Sequence, residues 1–132
     1  MLKVLIVDDS RLFRSVLRKI LSNYYEIVGE AEDGISGYEM AAKFQPDIVL
    51  LDVTMPNCDG KECLEKIVKL SPASKVIMIS SVNDQDTVKS CLEIGAVDFL
   101  NKSALSAVDL NSNKEVLTKL EKLTGDRNES VA

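Results

Sequence analysis

The sequence predicts an α/β fold in which helices cover both faces of a parallel sheet. Short apolar runs recur along the chain without the alternation of a half-exposed strand, as in residues 48–51, and such runs are typical of strands buried on both faces. Each run is followed by a segment with apolar residues at helical spacing. Strand–helix alternation repeated five times indicates a parallel sheet with helices on both sides.

The composition is that of one ordinary globular domain. The chain has 132 residues, of which 45% are hydrophobic and 28% charged. The net charge of −5 argues against direct nucleic-acid binding. No apolar run approaches the length of a membrane span, and the N-terminus runs into a strand without the layout of a signal peptide, so we expect no membrane insertion and a cytoplasmic location.

Two residue types limit the chemistry further. There is no histidine, which excludes histidine-based metal sites and serine–histidine pairs on this chain. The three cysteines are an odd number without metal-site spacing, and we interpret them as free thiols.

The elements follow from the apolar pattern in chain order. The predicted strands are residues 3–7, 25–30, 48–51, 75–79 and 96–100. The first helix should bury Leu12, Phe13, Val16, Leu17, Ile20 and Leu21, with Asp9 or Ser10 as its cap. The second helix ends before Pro46, the third begins at Gly60, and the fourth follows Asn83 or Asp84, buries Val88, Cys91 and Leu92 and ends at Gly95.

The C-terminal part is less regular. Residues 103–111 form a polar connection, and Ser112 to Glu115 fits a capping box at the start of a fifth helix. We predict one domain over residues 1–124 and a polar tail over residues 125–132.

Polar side chains follow four of the predicted strands. Asp8 and Asp9 follow the first, Asp52 the third, Ser80 the fourth and Lys102 the fifth. Because parallel strands end at one edge of a sheet, these groups should meet there. Clustered carboxylates repel one another, and oxygen ligands without histidine suit Mg²⁺. Taken alone the aspartates are helix caps or turn residues, but together with a lysine they suit phosphoryl transfer to a carboxylate nucleophile.

Four segments carry a resemblance to a known family. Val-Asp-Asp-Ser at 7–10, Leu-Asp-Val-Thr-Met-Pro-Asn-Cys-Asp-Gly at 51–60, Ile-Ser-Ser at 79–81 and Phe-Leu-Asn-Lys at 99–102 resemble the receiver domain of two-component response regulators. Nearly the whole chain takes part. The resemblance implies a flavodoxin-like (βα)5 fold with a five-stranded sheet in the order 2-1-3-4-5.

The resemblance also implies roles for the residues at the sheet edge. Asp52 would accept phosphate from a partner histidine kinase. Mg²⁺, with Mn²⁺ as the alternative ion, would be bound directly by Asp9, Asp52 and the backbone carbonyl of Thr54, while Asp8 would act largely through water. No activity as a conventional enzyme is implied, only phosphoryl transfer to Asp52 and loss of that phosphate.

Further residues would hold the phosphate and transmit its presence. Lys102 would pair with the phosphoryl oxygens, Ser80 would donate a hydrogen bond to them, and Phe99 would move inward behind Ser80. Thr54 and Ser81 lie where the family tunes the lifetime of the phosphate. A downstream protein would bind the face formed by the fourth helix, fifth strand and fifth helix.

The chain departs from the family pattern at two positions. Ser103 follows the lysine where the family usually has a proline, often after a cis peptide bond. Because a cis bond before a non-proline residue costs about 2.5–4 kcal/mol, we predict that the Lys102–Ser103 bond is trans and that Lys102 still reaches the site. Phe99 stands where many members have tyrosine, so a switch at this position must act by packing alone.

The sequence leaves the downstream output open. The amino-acid sequences of residues 77–81 and 95–99 also resemble those of receivers fused to the chemotaxis methylesterase. The chain could thus be a single-domain, chemotaxis-type regulator or part of a longer regulator with a methylesterase or DNA-binding output domain.

Two other functions compete with a receiver. A Mg²⁺-dependent phosphatase of the haloacid dehalogenase class would require a second aspartate where Thr54 stands. A flavin-binding protein would show hydroxyl- and glycine-rich loops at the strand ends instead of carboxylates.

Overall fold

A computed structural model of the chain describes residues 1–55, 58–81, 84–104 and 110–125. The strands are β1 (Lys3–Val7), β2 (Glu26–Ala31), β3 (Ile48–Asp52), β4 (Lys75–Ser80) and β5 (Asp98–Asn101). The helices are α1 (Arg11–Leu21), α2 (Gly34–Phe44), α3 (Gly60–Leu70), α4 (Gln85–Ile94) and α5 (Leu110–Thr124), and a 3₁₀ turn covers Lys102–Ala104. Strands and helices alternate as predicted from the sequence.

The five strands form one parallel sheet in the order β2-β1-β3-β4-β5. The predicted fold class and strand order are therefore confirmed. Val7 of β1 is in register with Leu51 of β3, and Ser80 of β4 with Asn101 of β5. This register aligns the carboxyl ends of the strands, so the residues that follow them share one edge of the sheet.

The core consists of two apolar layers, one on each face of the sheet. Alternate residues of a strand face opposite layers. A strand that is covered on both faces is therefore apolar at every position of its sequence. One layer joins the sheet to α2, α3 and α4 through residues that include Val49, Leu51, Ala41, Leu64 and Cys91. The other joins it to α1 and α5 through residues that include Ile6, Leu50, Leu17, Leu117 and Leu120. Burying one such aliphatic side chain contributes about 1.5–3 kcal/mol.

Side-chain caps begin three of the helices that follow strands at this edge of the sheet. Ser10 follows β1 and its Oγ accepts a hydrogen bond from the Phe13 amide at 3.1 Å. Asp33 caps α2 and Asp59 caps α3 in the same way. A side-chain acceptor at the N-cap satisfies one of the N–H groups that have no partner inside the helix. Helices α1 and α2 thus start shortly after β1 and β2, while α3 follows β3 after a longer connection.

Some sequence expectations about the helices are wrong. Leu12 is 77% exposed, at the margin of the buried stripe of α1. Leu92 of α4 is 39% exposed and lines a surface cavity instead of the core. Helix α5 begins at Leu110, so the backbone at 112–115 already lies inside it and the predicted capping box is wrong. Polar residues are common in a first helical turn, so such a motif marks the start only to within a few residues.

Smaller differences concern boundaries. β5 covers Asp98–Asn101, two residues later than expected at its start. Asp84 occupies the N-cap position of α4 but makes no capping hydrogen bond, while Asn83, its alternative, lies outside the described residues. Residues 105–109 of the predicted polar connection and 126–132 of the predicted tail also lie outside them.

Candidate functional site

Three carboxylates meet at the carboxyl edge of the sheet. Asp8 and Asp9 follow β1, and Asp52 ends β3. One carboxylate oxygen from each residue lies within 4.8 Å of the other two. Asp8 and Asp52 are buried, with 1% and 5% of their surface exposed, and Asp9 is exposed. The arrangement offers oxygen ligands from two buried residues and one exposed residue.

Lys102 follows β5, the strand at one edge of the sheet, and its side chain reaches this cluster. Its Nζ lies 3.0 Å from Oδ2 of Asp8 and 3.4 Å from Oδ2 of Asp52. The described residues contain no cis peptide bond, so the Lys102–Ser103 bond is trans. The predictions that this bond is trans and that Lys102 still reaches the site are both confirmed.

The buried charges shift one another's protonation. Burial, reinforced by the neighbouring Asp8 carboxylate, raises the pKa of Asp52 from its ordinary 3.8 to about 7, although Lys102 and the Thr54 amide oppose the rise. Burial disfavours the charged ammonium of Lys102, but its bonds to Asp8 and Asp52 outweigh this and raise its pKa. One ammonium thus compensates only part of the charge of three carboxylates. A cluster of oxygen ligands with excess negative charge fits a hard divalent cation such as Mg²⁺.

The start of α1 holds Asp8 in place. Oδ1 of Asp8 accepts a hydrogen bond from the Ser10 amide at 2.8 Å, and the Asp8 carbonyl accepts one from Nη1 of Arg14 at 2.6 Å. Arg14 is in turn 3.4 Å from Glu30, which also pairs with Arg18 at 2.6 Å. The sequence reasoning missed Arg14. Helical spacing places it on α1 but does not show that its side chain reaches the backbone carbonyl of Asp8, just after β1.

The β3–α3 connection wraps closely around Asp52. The Thr54 amide donates to Oδ1 of Asp52 at 3.3 Å, and the Gly60 amide donates to the Val53 carbonyl at 2.9 Å. A Cβ atom at Gly60 would collide with the Asp52 carbonyl and lie 2.7 Å from Cα of Val53. Only glycine lets α3 start this close to the end of β3. Pro56 and Asn57 lie outside the described residues.

Ser80 and Phe99 line the same surface cavity. The cavity has a volume of about 310 Å³ and lies between α4 and β5; its lining also includes Ser81, Leu92 and Asn101. Ser80 is 5% exposed, whereas Phe99 is 42% exposed. The backbone carbonyl of Phe99 accepts a hydrogen bond from Nζ of Lys119 at 2.8 Å, and the same ammonium lies 5.2 Å from the centroid of its ring.

The two remaining predicted residues are exposed. Thr54 lies directly after Val53 at the rim of the carboxylate cluster. Ser81 follows β4 and donates from its amide and its Oγ to Oδ2 of Asp84, at 2.9 and 2.8 Å. The side chain of Asp84 therefore fixes the turn after β4 instead of capping α4.

Two further contacts at Lys102 were not foreseen. Oδ1 of Asn101 accepts hydrogen bonds from the amide and the Oγ of Ser103, at 3.0 and 2.8 Å, which closes a tight turn around Lys102. The ammonium of Lys102 also lies 4.7 Å from the centroid of the Phe13 ring. Phe13 was expected only as part of the core, and helical spacing gives no signal for a contact with a residue 89 positions later.

Comparison with known proteins agrees with this architecture. The sequence model of the response regulator receiver domain family matches residues 4–112. The chemotaxis protein CheY of Listeria monocytogenes is 42% identical over 103 residues, 77% of this chain and 87% of that protein. A protein-glutamate methylesterase/protein-glutamine glutaminase of Thiobacillus denitrificans is 44% identical over 109 residues, 80% of this chain but only 30% of that protein.

A solved structure shows the same fold. The response regulator domain of Thermotoga maritima CheB superimposes with a TM-score of 0.82 at 32% identity, covering 97% of this chain and 99% of that one. Within the described part of the chain, no helix combines the length and apolar character needed to cross a bilayer. The matched family model covers both the carboxylate cluster and Lys102, and the chain belongs to the response regulator receiver domain family.

Proposed function

We propose that Asp52 is the phosphoacceptor of a two-component system and receives its phosphoryl group from a phosphohistidine on a partner kinase. The observation that carries this proposal is the position of Lys102, whose ammonium lies 3.0 Å from Asp8 and 3.4 Å from Asp52 in a cluster of three carboxylates. A carboxylate nucleophile beside a fixed cation is suited to phosphoryl transfer.

The chain supplies the nucleophile and part of the charge compensation. An Oδ atom of Asp52 forms a bond to phosphorus while the bond between phosphorus and the imidazole nitrogen of the donor breaks, and the imidazole takes up a proton from solvent. Lys102 stays close enough to pair with the transferred oxygens. Ser80, buried at the end of β4, donates a hydrogen bond to them after transfer.

Receiver domains bind Mg²⁺ at an acidic pocket, and the carboxylates here fit that ion. Asp9, Asp52 and the backbone carbonyl of Thr54 would hold Mg²⁺ or Mn²⁺ directly, and Asp8 largely through water. When bound, the cation neutralises charge on the phosphoryl oxygens. The raised pKa of Asp52 supports this assignment, because burial and then the neighbouring Asp8 carboxylate disfavour the charged form of Asp52, and a bound cation would offset both effects.

The lifetime of the phosphate depends in this proposal on the exposed residues at the rim. Thr54 and Ser81 are both open to solvent, so their side chains can control the approach of a hydrolytic water. Thr54 offers no carboxyl group as a general acid or base, which argues against a phosphatase that turns over many substrates. A receiver is not a conventional enzyme, and self-catalysed transfer to Asp52 and its reversal by hydrolysis complete the proposed chemistry.

The proposed output surface is the face formed by α4, β5 and α5. Phe99 is partly exposed beside a cavity of about 310 Å³, which leaves space for its ring to move inward behind Ser80. A downstream protein would recognise the two positions of the ring. The net charge of −5 supports a protein rather than a nucleic-acid partner, in a cytoplasmic setting without membrane insertion.

The comparisons leave two architectures for the whole protein. The chain spans most of the Listeria CheY but 30% of the Thiobacillus methylesterase. We therefore propose that residues 1–124 form the receiver and that residues 125–132 are either a tail or the start of a connection to an output domain. Chemotaxis is the pathway that the similarity to the Listeria chemotaxis protein supports.

Mass spectrometry of the intact protein tests the proposal. After incubation with acetyl phosphate and Mg²⁺, the wild type should gain the mass of one phosphoryl group, and Asp52→Asn should gain none. Asp47→Asn is a matched control, because Asp47 lies just before the opposite end of β3 and an amide can still accept the 2.7 Å hydrogen bond from the Lys3 amide. A wild type that stays unmodified with every phosphodonor, including a phosphorylated kinase, would refute the assignment.

A further inference from the structure

The ammonium of Lys102 lies against the ring of Phe13 on α1. The distance from Nζ to the ring centroid is 4.7 Å, within the range in which a cation is attracted to an aromatic face. Phe13 is half-buried, and its inner side packs against the apolar layer between the sheet and α1. The ring is therefore supported from below and offers a fixed surface to the lysine.

Phe13 belongs to the same local unit as Asp8. The amide of Phe13 donates to Oγ of Ser10, and the amide of Ser10 donates to Oδ1 of Asp8. The first turn of α1 thus fixes both the ring and the carboxylate relative to each other. Lys102 approaches from β5, on the far side of β3 and β4 in the sheet, and meets both groups at once.

Lysine needs such support because its side chain is long and flexible. A side chain of this kind loses much of its rotamer freedom when it is fixed. The Lys102 side chain is 30% exposed, so solvent competes for its ammonium. Ion pairs alone attract a mobile point charge without fixing its direction. An aromatic face adds a contact that does not use a carboxylate oxygen needed elsewhere.

We propose that Phe13 is a positioning residue for phosphoryl transfer: its ring holds the Lys102 ammonium at the place where the phosphoryl oxygens of Asp52 arrive. This inference rests on the proposed role of Asp52 as phosphoacceptor. It adds α1 to the elements that build the site, beyond the carboxylates that follow β1. Removal of the ring should leave the carboxylates in place but let the Lys102 ammonium occupy other positions.

Three variants separate the aromatic contact from simple packing. Phe13→Leu and Phe13→Met keep an apolar side chain, the second a longer one, but both remove the ring. Phe13→Tyr keeps the ring. A cation–π contact at a partly exposed site corresponds to a rate change of about three- to tenfold. Phe13→Leu and Phe13→Met should be phosphorylated by acetyl phosphate about three- to tenfold more slowly than wild type, and Phe13→Tyr within about twofold of it.

A matched control comes from the other end of the fold. Phe44 is half-buried at the end of α2 and its ring lies 5.3 Å from Nζ of Lys43. Phe44→Leu removes the same kind of contact far from the carboxylate cluster. Its phosphorylation rate should match that of the wild type.

NMR observes the contact itself, without any phosphodonor. The ring current of Phe13 should shift the Lys102 ε-methylene protons upfield from those of other lysines, and the shift should vanish in Phe13→Leu and Phe13→Met but persist in Phe13→Tyr. An unshifted wild-type signal, or full phosphorylation rates in both non-aromatic variants, would overturn the role of Phe13. A wild type that shows the shift but accepts no phosphate would instead overturn the proposed function of Asp52, and the role of Phe13 in transfer with it.

Discussion

Nζ of Lys102 lies 3.4 Å from Oδ2 of Asp52, although the two residues end strands that are not neighbours in the sheet. β4 lies between β3 and β5 and ends at the buried Ser80. The lysine side chain therefore spans the end of β4 to reach its carboxylate. A phosphoryl group on Asp52 would lie between a cation and a hydroxyl from two different strands.

The buried carboxylate should make the stability of the fold depend on pH. The pKa of Asp52 is about 7 in the folded protein, above its ordinary value of 3.8. The folded state therefore holds a proton that the unfolded state releases, and the free energy of unfolding should fall as pH rises from about 4 to about 7. Asp52→Asn removes this dependence.

Thermal or urea unfolding without divalent cations measures the effect. Asp52→Asn should be more stable than wild type by roughly 2–4 kcal/mol near pH 8, because the rise in the pKa of Asp52, which already includes the opposing attraction to Lys102, is worth about 1.4 kcal/mol per pKa unit. Near pH 4 the difference should vanish. Asp47→Asn keeps Asp52 and should retain the pH dependence of the wild type. A stability gain for Asp52→Asn that is equal at both pH values would contradict the buried-charge account.

Removal of the exposed member of the cluster should weaken cation binding with little effect on folding. Asp9 is exposed at the rim, and Asp9→Asn leaves Asp8, Asp52 and Lys102 in place. We expect the affinity for Mg²⁺ to fall at least about tenfold, since Mg²⁺ takes only one or two carboxylates. Isothermal titration calorimetry with Mg²⁺ gives the affinity, and Asp47→Asn serves as the control. Unchanged affinity in Asp9→Asn would remove this residue from the metal site.

The sequence predicted the strands and the meeting of Asp8, Asp9, Asp52 and Lys102 at one edge for one physical reason. Strands covered on both faces must be apolar throughout, so a charged or hydroxyl side chain such as Asp52 or Ser80 marks the strand end directly. Parallel direction then brings those ends together without further information. Exposure of Leu12 and Leu92 was not predictable, because apolar spacing on a helix does not show how far the neighbouring elements extend.

Gly60 should be essential for the connection that follows Asp52. A Cβ atom there would lie 2.7 Å from the carbonyl and from Cα of Val53, and backbone atoms cannot move aside cheaply. Gly60→Ala should lower the free energy of unfolding by about 2–4 kcal/mol. Gly29→Ala is the matched control, since the nearest neighbours of its Cβ would be side-chain atoms, of Leu5 and Met40 at 3.3 Å and of Phe44 at 3.4 Å. Equal losses in the two variants, measured by urea unfolding, would refute this reading.

The turn around Lys102 should depend on the side chain of Asn101. Its Oδ1 accepts two hydrogen bonds from Ser103, and Asn101→Ala removes both. We expect a loss of about 1–2 kcal/mol in stability and slower phosphorylation by acetyl phosphate, because Lys102 is then held less firmly. Asn101→Asp keeps the acceptor oxygen and should retain the turn. If Asn101→Ala and wild type react equally fast, the turn has no part in placing Lys102.

The contacts of Asn101 and Phe13 mark the limit of the sequence argument. Both residues have ordinary explanations in sequence, one as a polar strand end and the other as a core position of α1. Their contacts with the segment around Lys102 depend on side-chain directions that only the folded chain fixes. Charge and sequence spacing indicate which side chains can lie close together. The contacts that fix those side chains depend on packing in the folded chain.

Chemical trapping of the phosphorylated residue tests the central claim most directly. Borohydride reduces an acyl phosphate of aspartate to the corresponding alcohol, so the modified position can be read by peptide mass spectrometry after treatment with acetyl phosphate and Mg²⁺. We predict reduction at Asp52 alone, with Asp8, Asp9 and Asp47 unchanged. Reduction at Asp8 or Asp9 in the wild type, or no reduced residue in protein that has gained a phosphoryl group, would contradict the assignment of Asp52 as the phosphoacceptor.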